Sequence, residues 1–124
     1  SLGVHPRFAF MILGANDLGF AYEACLLSAM LSEKDIFKNM SFNCDIYSRF
    51  LHLYEKDFDS AYINSHHAKT VLKQAEFFYG KLKNIETINK RTEKINEENL
   101  SILLLLAYPD RLAKQRGKMT LNIN

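Results

Sequence analysis

The chain has 124 residues, 48% of them hydrophobic, with a formal net charge of +2 at pH 7. That length supports one domain with a real apolar core, and so small a net charge says little about partners. The longest near-apolar run, LSILLLLAY at 100–108, is far too short to cross a bilayer, which takes about 20 residues.

Charge is unevenly placed along the chain. Residues 1–63 carry five Lys/Arg against eight Asp/Glu, and 64–94 carry seven against three. Residues 95–108 carry only two acids, and 109–124 carry four bases against one acid. Two basic segments in the second half can therefore form a local positive surface if the fold joins them. Cys25 and Cys44 form no CxxC and fit no zinc spacing. With no signal peptide, they point to a reducing, cytoplasmic setting. The chain starts at Ser1 inside a hydrophobic pattern, and so looks like a piece of a longer protein.

Helical periodicity runs throughout, and strand signals are nearly absent. A first helix starts at Pro6, a favoured first-turn residue, and is expected to stop at Gly14. Asn16 or Asp17 is expected to cap a second helix from Leu18 or Gly19 to about Leu31. That helix is apolar nearly all round, with Ser28 a small exception, which marks a central element. Residues 32–43 read as a polar connection. A third helix over 44–55 puts Ile46, Phe50 and Leu53 on one face. A fourth starts near Asp59 and Ser60 and reaches Leu82 or beyond. Residues 84–98, NIETINKRTEKINEE, read as exposed helix or disordered linker. Glu97 to Tyr108 reads as a core helix. Pro109 ends it and opens a last short helix, PDRLAKQRG, stopped by Gly117. KMTLNIN then alternates like a short strand.

Candidate chemistry is sparse. GANDLGFA at 14–21 has the glycine spacing of a phosphate loop but lacks the following Lys and Ser/Thr, and it follows a helix where a strand is required. The glycines are better explained as a helix stop at Gly14 and a close-packing position at Gly19. His66 and His67 are adjacent, so a helix aims them about 100° apart, and metal pairs want i,i+4 spacing. His5 and His52 have no obvious metal-binding companions in the sequence and read as solvated or capping residues. The acid pairs Asp57/Asp59 and Glu97/Glu98 suit helix starts. No catalytic set and no metal site assembles from spacing.

The fourth helix is more informative. Ala68, Val71, Leu72, Ala75, Phe78, Tyr79 and Leu82 fill one arc of about 120°. The opposite arc carries His66, Lys69, Thr70, Lys73, Gln74 and Lys81, with Phe77 in its middle. An aromatic framed by cations suits a single strand: the ring stacks on a base and the lysines meet phosphates. The alternative is that Phe77 packs under a neighbouring element while the lysines are merely solvated. Arg111, Lys114 and Arg116, with Lys118, form a second basic cluster. It suits phosphates, a neighbouring domain, or simply a helix C-terminus.

Two stretches resemble a known family. LGVHPRFAFMILGANDLGFAYEACLLSAMLSEKD (2–35) is similar to the start of the helicase-associated helical domain of HrpB-type ATP-dependent helicases. There a HPRLAHML helix is followed by a Gly and an Ala-, Cys- and Leu-rich helix ending in LLSERD. His5, Pro6, Arg7, Ala9, Met11, Leu13, Gly19, Ala24, Cys25, Leu31, Ser32, Glu33 and Asp35 match, whereas Phe8 and Phe10 stand where Leu and His are usual. LLLLAYPDRLAKQRG (103–117) resembles the family's LALAYPDRIARRRG through Tyr108, Pro109, Asp110, Arg111, Ala113, Arg116 and Gly117. Together they span 49 of the 124 residues.

The resemblance implies a helicase-associated helical domain over 1–124 of a bacterial DEAH-box helicase. Residues 1–14 stand open as a junction to a preceding winged-helix domain, and 118–124 as the start of a following one. ATP and Mg would belong to motor domains outside these residues. In such proteins the helical domain closes one side of the nucleic-acid channel, and a long helix acts as a ratchet beside the strand. The expectation is an all-α bundle of about six helices with a short C-terminal strand. Its function would be to guide single-stranded RNA or DNA beside the motor and winged-helix domains of the same chain. Lys69, Lys73, Phe77 and Lys81 are the leading contacts, and Arg111, Lys114 and Arg116 the second set. A helical scaffold that only docks other domains or a protein partner is the alternative, and an isolated enzyme comes third.

Overall fold

The computed structural model describes residues 4–33, 44–56, 65–90 and 93–109. They form five helices: α1 (Pro6–Leu18), α2 (Ala21–Glu33), α3 (Cys44–Tyr54), α4 (Ser65–Ile85) and α5 (Glu97–Ala107). The described residues hold no strand beyond one isolated bridge, so the fold is all-α as expected. The start of the fourth helix near Asp59, the sixth helix beyond Pro109 and the strand at 118–124 lie outside the described residues.

α2 is the central element. Ala24 through Leu31 are all buried, and α2 packs against α1, α3 and α4. A helix with no polar face is stable only when covered on every side. Ser28 is fully buried too, and its hydroxyl has no hydrogen-bond partner among the described residues. α5 closes the other side of α1 and touches α3. Phe8, Met11, Ile12 and Ala15 of α1 belong to the core, as do Ile46, Phe50 and Leu53 of α3.

α1 begins as expected. Pro6 occupies its first turn, and the His5 ring accepts a hydrogen bond from the Arg7 backbone N–H at 3.2 Å. Its end differs. The helix runs through Gly14 and stops at Gly19, whose φ of 90° is the left-handed conformation. Its N–H bonds back to the Ala15 and Asn16 carbonyls. Only a residue forced to positive φ needs to be glycine to end a helix. Gly14 serves packing: a Cβ there would sit 3.0 Å from Leu106 Cδ1 of α5.

Asn16 also departs from its expected role. It does not cap α2 but lies inside α1, buried. Its side-chain amide donates to the Thr87 carbonyl at 3.0 Å, and its Oδ1 accepts from the Asn89 N–H at 3.0 Å. These bonds fix the connection from α4 to α5, whose described residues, 86–90 and 93–96, are neither helix nor a detached linker. It crosses the α1–α2 junction, bonds the Asp17 carbonyl through the Asn89 side chain, bridges Phe20 to Lys90 and buries Ile95. An exposed ion pair, Lys94 to Glu55 at 2.8 Å, ties it to the end of α3. Asn96 then caps α5 by accepting from the Asn99 N–H at 2.8 Å, with Glu97 and Glu98 in the first turn. Both features favour the positive end of the helix dipole.

Candidate nucleic-acid interface

α4 is built from two unlike faces. At about 1.5 Å per residue its 21 residues make a rod of roughly 32 Å. Ala68, Val71, Ala75, Phe78 and Leu82 are buried, chiefly against α2. That contact fixes the rotation of the helix, and so decides which residues face outward. Lys69, Thr70, Lys73, Gln74 and Phe77 are exposed.

Lys69, Lys73, Phe77 and Lys81 follow one another at intervals of four residues. On a helix such residues form one row, in steps of about 6 Å along the axis. The Phe77 ring is 55% exposed, unusual for a phenylalanine in mid-helix. Lys81 is half-buried, and its ammonium lies 4.8 Å from the centre of the Phe77 ring. A cation held over an aromatic face at an exposed site gains about 0.5–1 kcal/mol. Phe77 also leans on Phe78 beneath it, with centroids 6.2 Å apart. The ring is thereby steadied from below and beside while more than half of it meets water.

The row therefore offers one flat apolar surface with ammonium groups on both sides along the helix. Such a surface can stack a nucleobase and neutralise flanking phosphates. Glu76 is the acid of the same stretch, and its charge acts on Tyr22, on the flank of α4 away from Phe77. Arg111, Lys114 and Arg116 lie outside the described residues, as does the side chain of His66. His67 is half-buried.

GANDLGFA does not have the strand–loop–helix form of a phosphate loop. Its first five residues continue α1, Gly19 is the cap, and Phe20 and Ala21 lead into α2. No family model, curated protein or solved structure matches this chain. Among the described residues no group of three or more His, Cys, Asp or Glu could hold a metal ion, and no helix is long and apolar enough to cross a membrane.

A concave feature on the other flank of α4 was not legible in the sequence. Tyr22, Tyr54 and Tyr79 come from three different helices and meet at a cavity of about 260 Å³ that also takes in Glu23, Ile88 and Lys90. The Tyr54 hydroxyl donates to Glu23 Oε2 at 3.0 Å. Burial, then the Glu23 carboxylate, pushes the Tyr54 phenol up to about 12. Burial, then the charge of Glu76, raises Tyr22. Deeper in, burial and then Glu23 push the buried Cys25 thiol up to about 12, so it is an inert packing group. The composition, with six tyrosines, was the available signal. Nothing local connects residues 22, 54 and 79.

Proposed function

We propose that this chain is an accessory helical domain of an ATP-dependent helicase of the HrpB type, and that α4 guides single-stranded nucleic acid past the motor domains. The observation that carries the reading is Phe77: a phenylalanine 55% exposed in mid-helix, with Lys81 against its ring and Lys73 one turn before it. The resemblance at 2–35 and 103–117 supports the same reading. ATP and Mg act elsewhere in such a protein, and no step of nucleotide hydrolysis is assigned to these residues.

The test is salt-titrated binding to single-stranded oligonucleotides. The chain binds weakly, with affinity falling as salt rises. Lys73→Ala weakens binding and flattens the salt slope by about one phosphate contact. Phe77→Ala weakens binding by about 1–3 kcal/mol with little change in slope, because stacking releases no counterions. Its melting temperature stays close to that of the parent, since a half-exposed ring contributes little to the core. Binding unchanged in both variants refutes the assignment of α4.

A second reading has an observation of its own. Phe10 of α1 is 62% exposed, and Leu13 and Ile102 are exposed on α1 and α5, the pair of helices packed through Gly14 and Leu106. Exposed apolar side chains on two helices packed together suit a scaffold that docks a neighbouring domain. Loss of domain docking in Phe10→Ser, with strand binding intact, favours this reading.

A further inference from the structure

The cavity between α2, α3 and α4 combines three features. Its walls are aromatic and mutually inclined: Tyr22 meets Tyr79 edge-on at 5.5 Å and 88°, and Tyr54 lies 6.5 Å from Tyr22 at 42°. Rings set at such angles present π-faces and edges from different directions to one small volume. One side carries the Glu23 carboxylate, held in place by the Tyr54 hydroxyl at 3.0 Å. The remaining wall is the α4–α5 connection at Ile88 and Asn89, fixed by the bonds that Asn89 makes to Asn16 and Asp17. The site is therefore preformed.

Its chemistry selects the sign of the ligand. Aromatic faces attract cations through the ring quadrupole, and a carboxylate adds a countercharge. The start of α2 also points here, but Glu23 in its first turn occupies that positive end. Lys90 also lines the cavity; it is exposed, so its charge is screened by water. Tyr79 already attracts a cation: the Lys83 ammonium rests 5.2 Å from its ring, and Lys83 is not among the residues lining the cavity. At about 260 Å³ the space fits a head group, below the range of drug-sized pockets.

We propose that this cavity binds an alkylated ammonium group, with Tyr22, Tyr54 and Tyr79 as the aromatic walls and Glu23 as the countercharge. The group is the head of a small quaternary amine or the side chain of a methylated lysine. Both present the same methylated cation. The site lies on the flank of α4 away from Phe77, so it does not rest on the nucleic-acid reading.

The test is an amide-resolved NMR titration of the whole chain with choline chloride, with sodium chloride and sodium phosphate as controls. Choline shifts the amides of Ala21, Tyr22, Glu23, Tyr79 and Asn89 saturably. Tyr79→Phe keeps the ring and the affinity, whereas Tyr79→Leu loses affinity about tenfold. Glu23→Gln keeps an acceptor for Tyr54 and also loses about tenfold, from the missing charge. Unchanged amide positions elsewhere verify folding of each variant. A trimethyl-lysine peptide run in parallel separates the sources: tighter binding than choline assigns a protein side chain, and equal or weaker binding assigns a free amine. The proposal is overturned if choline moves none of these amides, if phosphate moves them at lower concentration, or if Tyr79→Leu binds choline like the parent.

Discussion

α2 and the α4–α5 connection are fixed in place by opposite means. α2 is apolar on every side and sits in the middle of the bundle, held by packing from α1, α3 and α4. The described part of the connection, 86–90 and 93–96, is polar and irregular, held by a few directed bonds to Asn16, Asp17 and Phe20 and by the buried side chain of Ile95. Packing spreads its stabilisation over many small contacts and tolerates modest change. A bonded segment concentrates it in one or two residues, and the loss of a partner leaves buried polar groups unpaired.

The largest expected effect breaks the packed side. Met11 is fully buried where α1 faces the core. Met11→Asp places an unpaired charge there and destabilises by about 3–5 kcal/mol. Thermal melting checks it, and a transition within a degree or two of the parent would show that α1 is not core. The bonded side breaks next. Asn16→Ala strands the Thr87 carbonyl and the Asn89 N–H and costs about 2–3 kcal/mol. The distinguishing readout is hydrogen exchange: the Asn89 amide loses protection ahead of the amides of α2.

The connection was not legible in the sequence, and the reason is physical. Periodicity reports what a residue does within its own helix. Asn16 acts on partners 71 and 73 positions away. An Asn shortly before an apolar run looks locally like a cap, and nothing nearby reveals that a distant peptide needs both its donor and its acceptor. Gly14 and Gly19 posed a similar ambiguity. Either could end a helix, and only the backbone angle shows which one does. By contrast, the arc of α4 from Ala68 to Leu82 and the place of Phe77 opposite it followed from 100° per residue, whereas the exposure of its ring did not, because periodicity does not show whether a neighbouring element covers that side. Helix–helix contact is what such spacing encodes. The tyrosine cavity was invisible because each of its rings belongs to a different helix.

Smaller effects sharpen the comparison. Tyr54 and Cys25 both hold their protons more tightly folded than unfolded, with Tyr54 moved from 10.0 and Cys25 from 9.0 to about 12. The unfolded chain therefore releases these protons first as pH rises. The stability they contribute is complete below pH 9 and is lost between pH 9 and about 12. Urea midpoints across that range should fall steadily. Tyr54→Phe should cost about 1 kcal/mol at neutral pH through its lost hydrogen bond, and it should flatten the decline above pH 10. A slope unchanged by that substitution would place the alkaline sensitivity elsewhere. The smallest effect is a gain. Gly80 lies inside α4, and no neighbouring side chain among the described residues comes within 4 Å of an added Cβ. Gly80→Ala should stabilise by about 0.5–1 kcal/mol through reduced unfolded-state entropy and better helix propensity, read as a raised urea midpoint. A lowered one would mean that α4 needs flexibility there.

The Arg7 guanidinium rests 4.7 Å from the Tyr108 ring, and Phe8 meets that ring edge-on at 6.0 Å. The first turn of α1 and the residue closing α5 are thus clasped together, although about a hundred residues of chain separate them. Tension applied between these two points, which touch, would load the clasp before any other contact of the α1–α5 seam. The clasp is thus the lock of that seam: while it holds, a pull on residues 7 and 108 is carried by the cation–π and edge-on ring contacts and does not reach the bundle behind them.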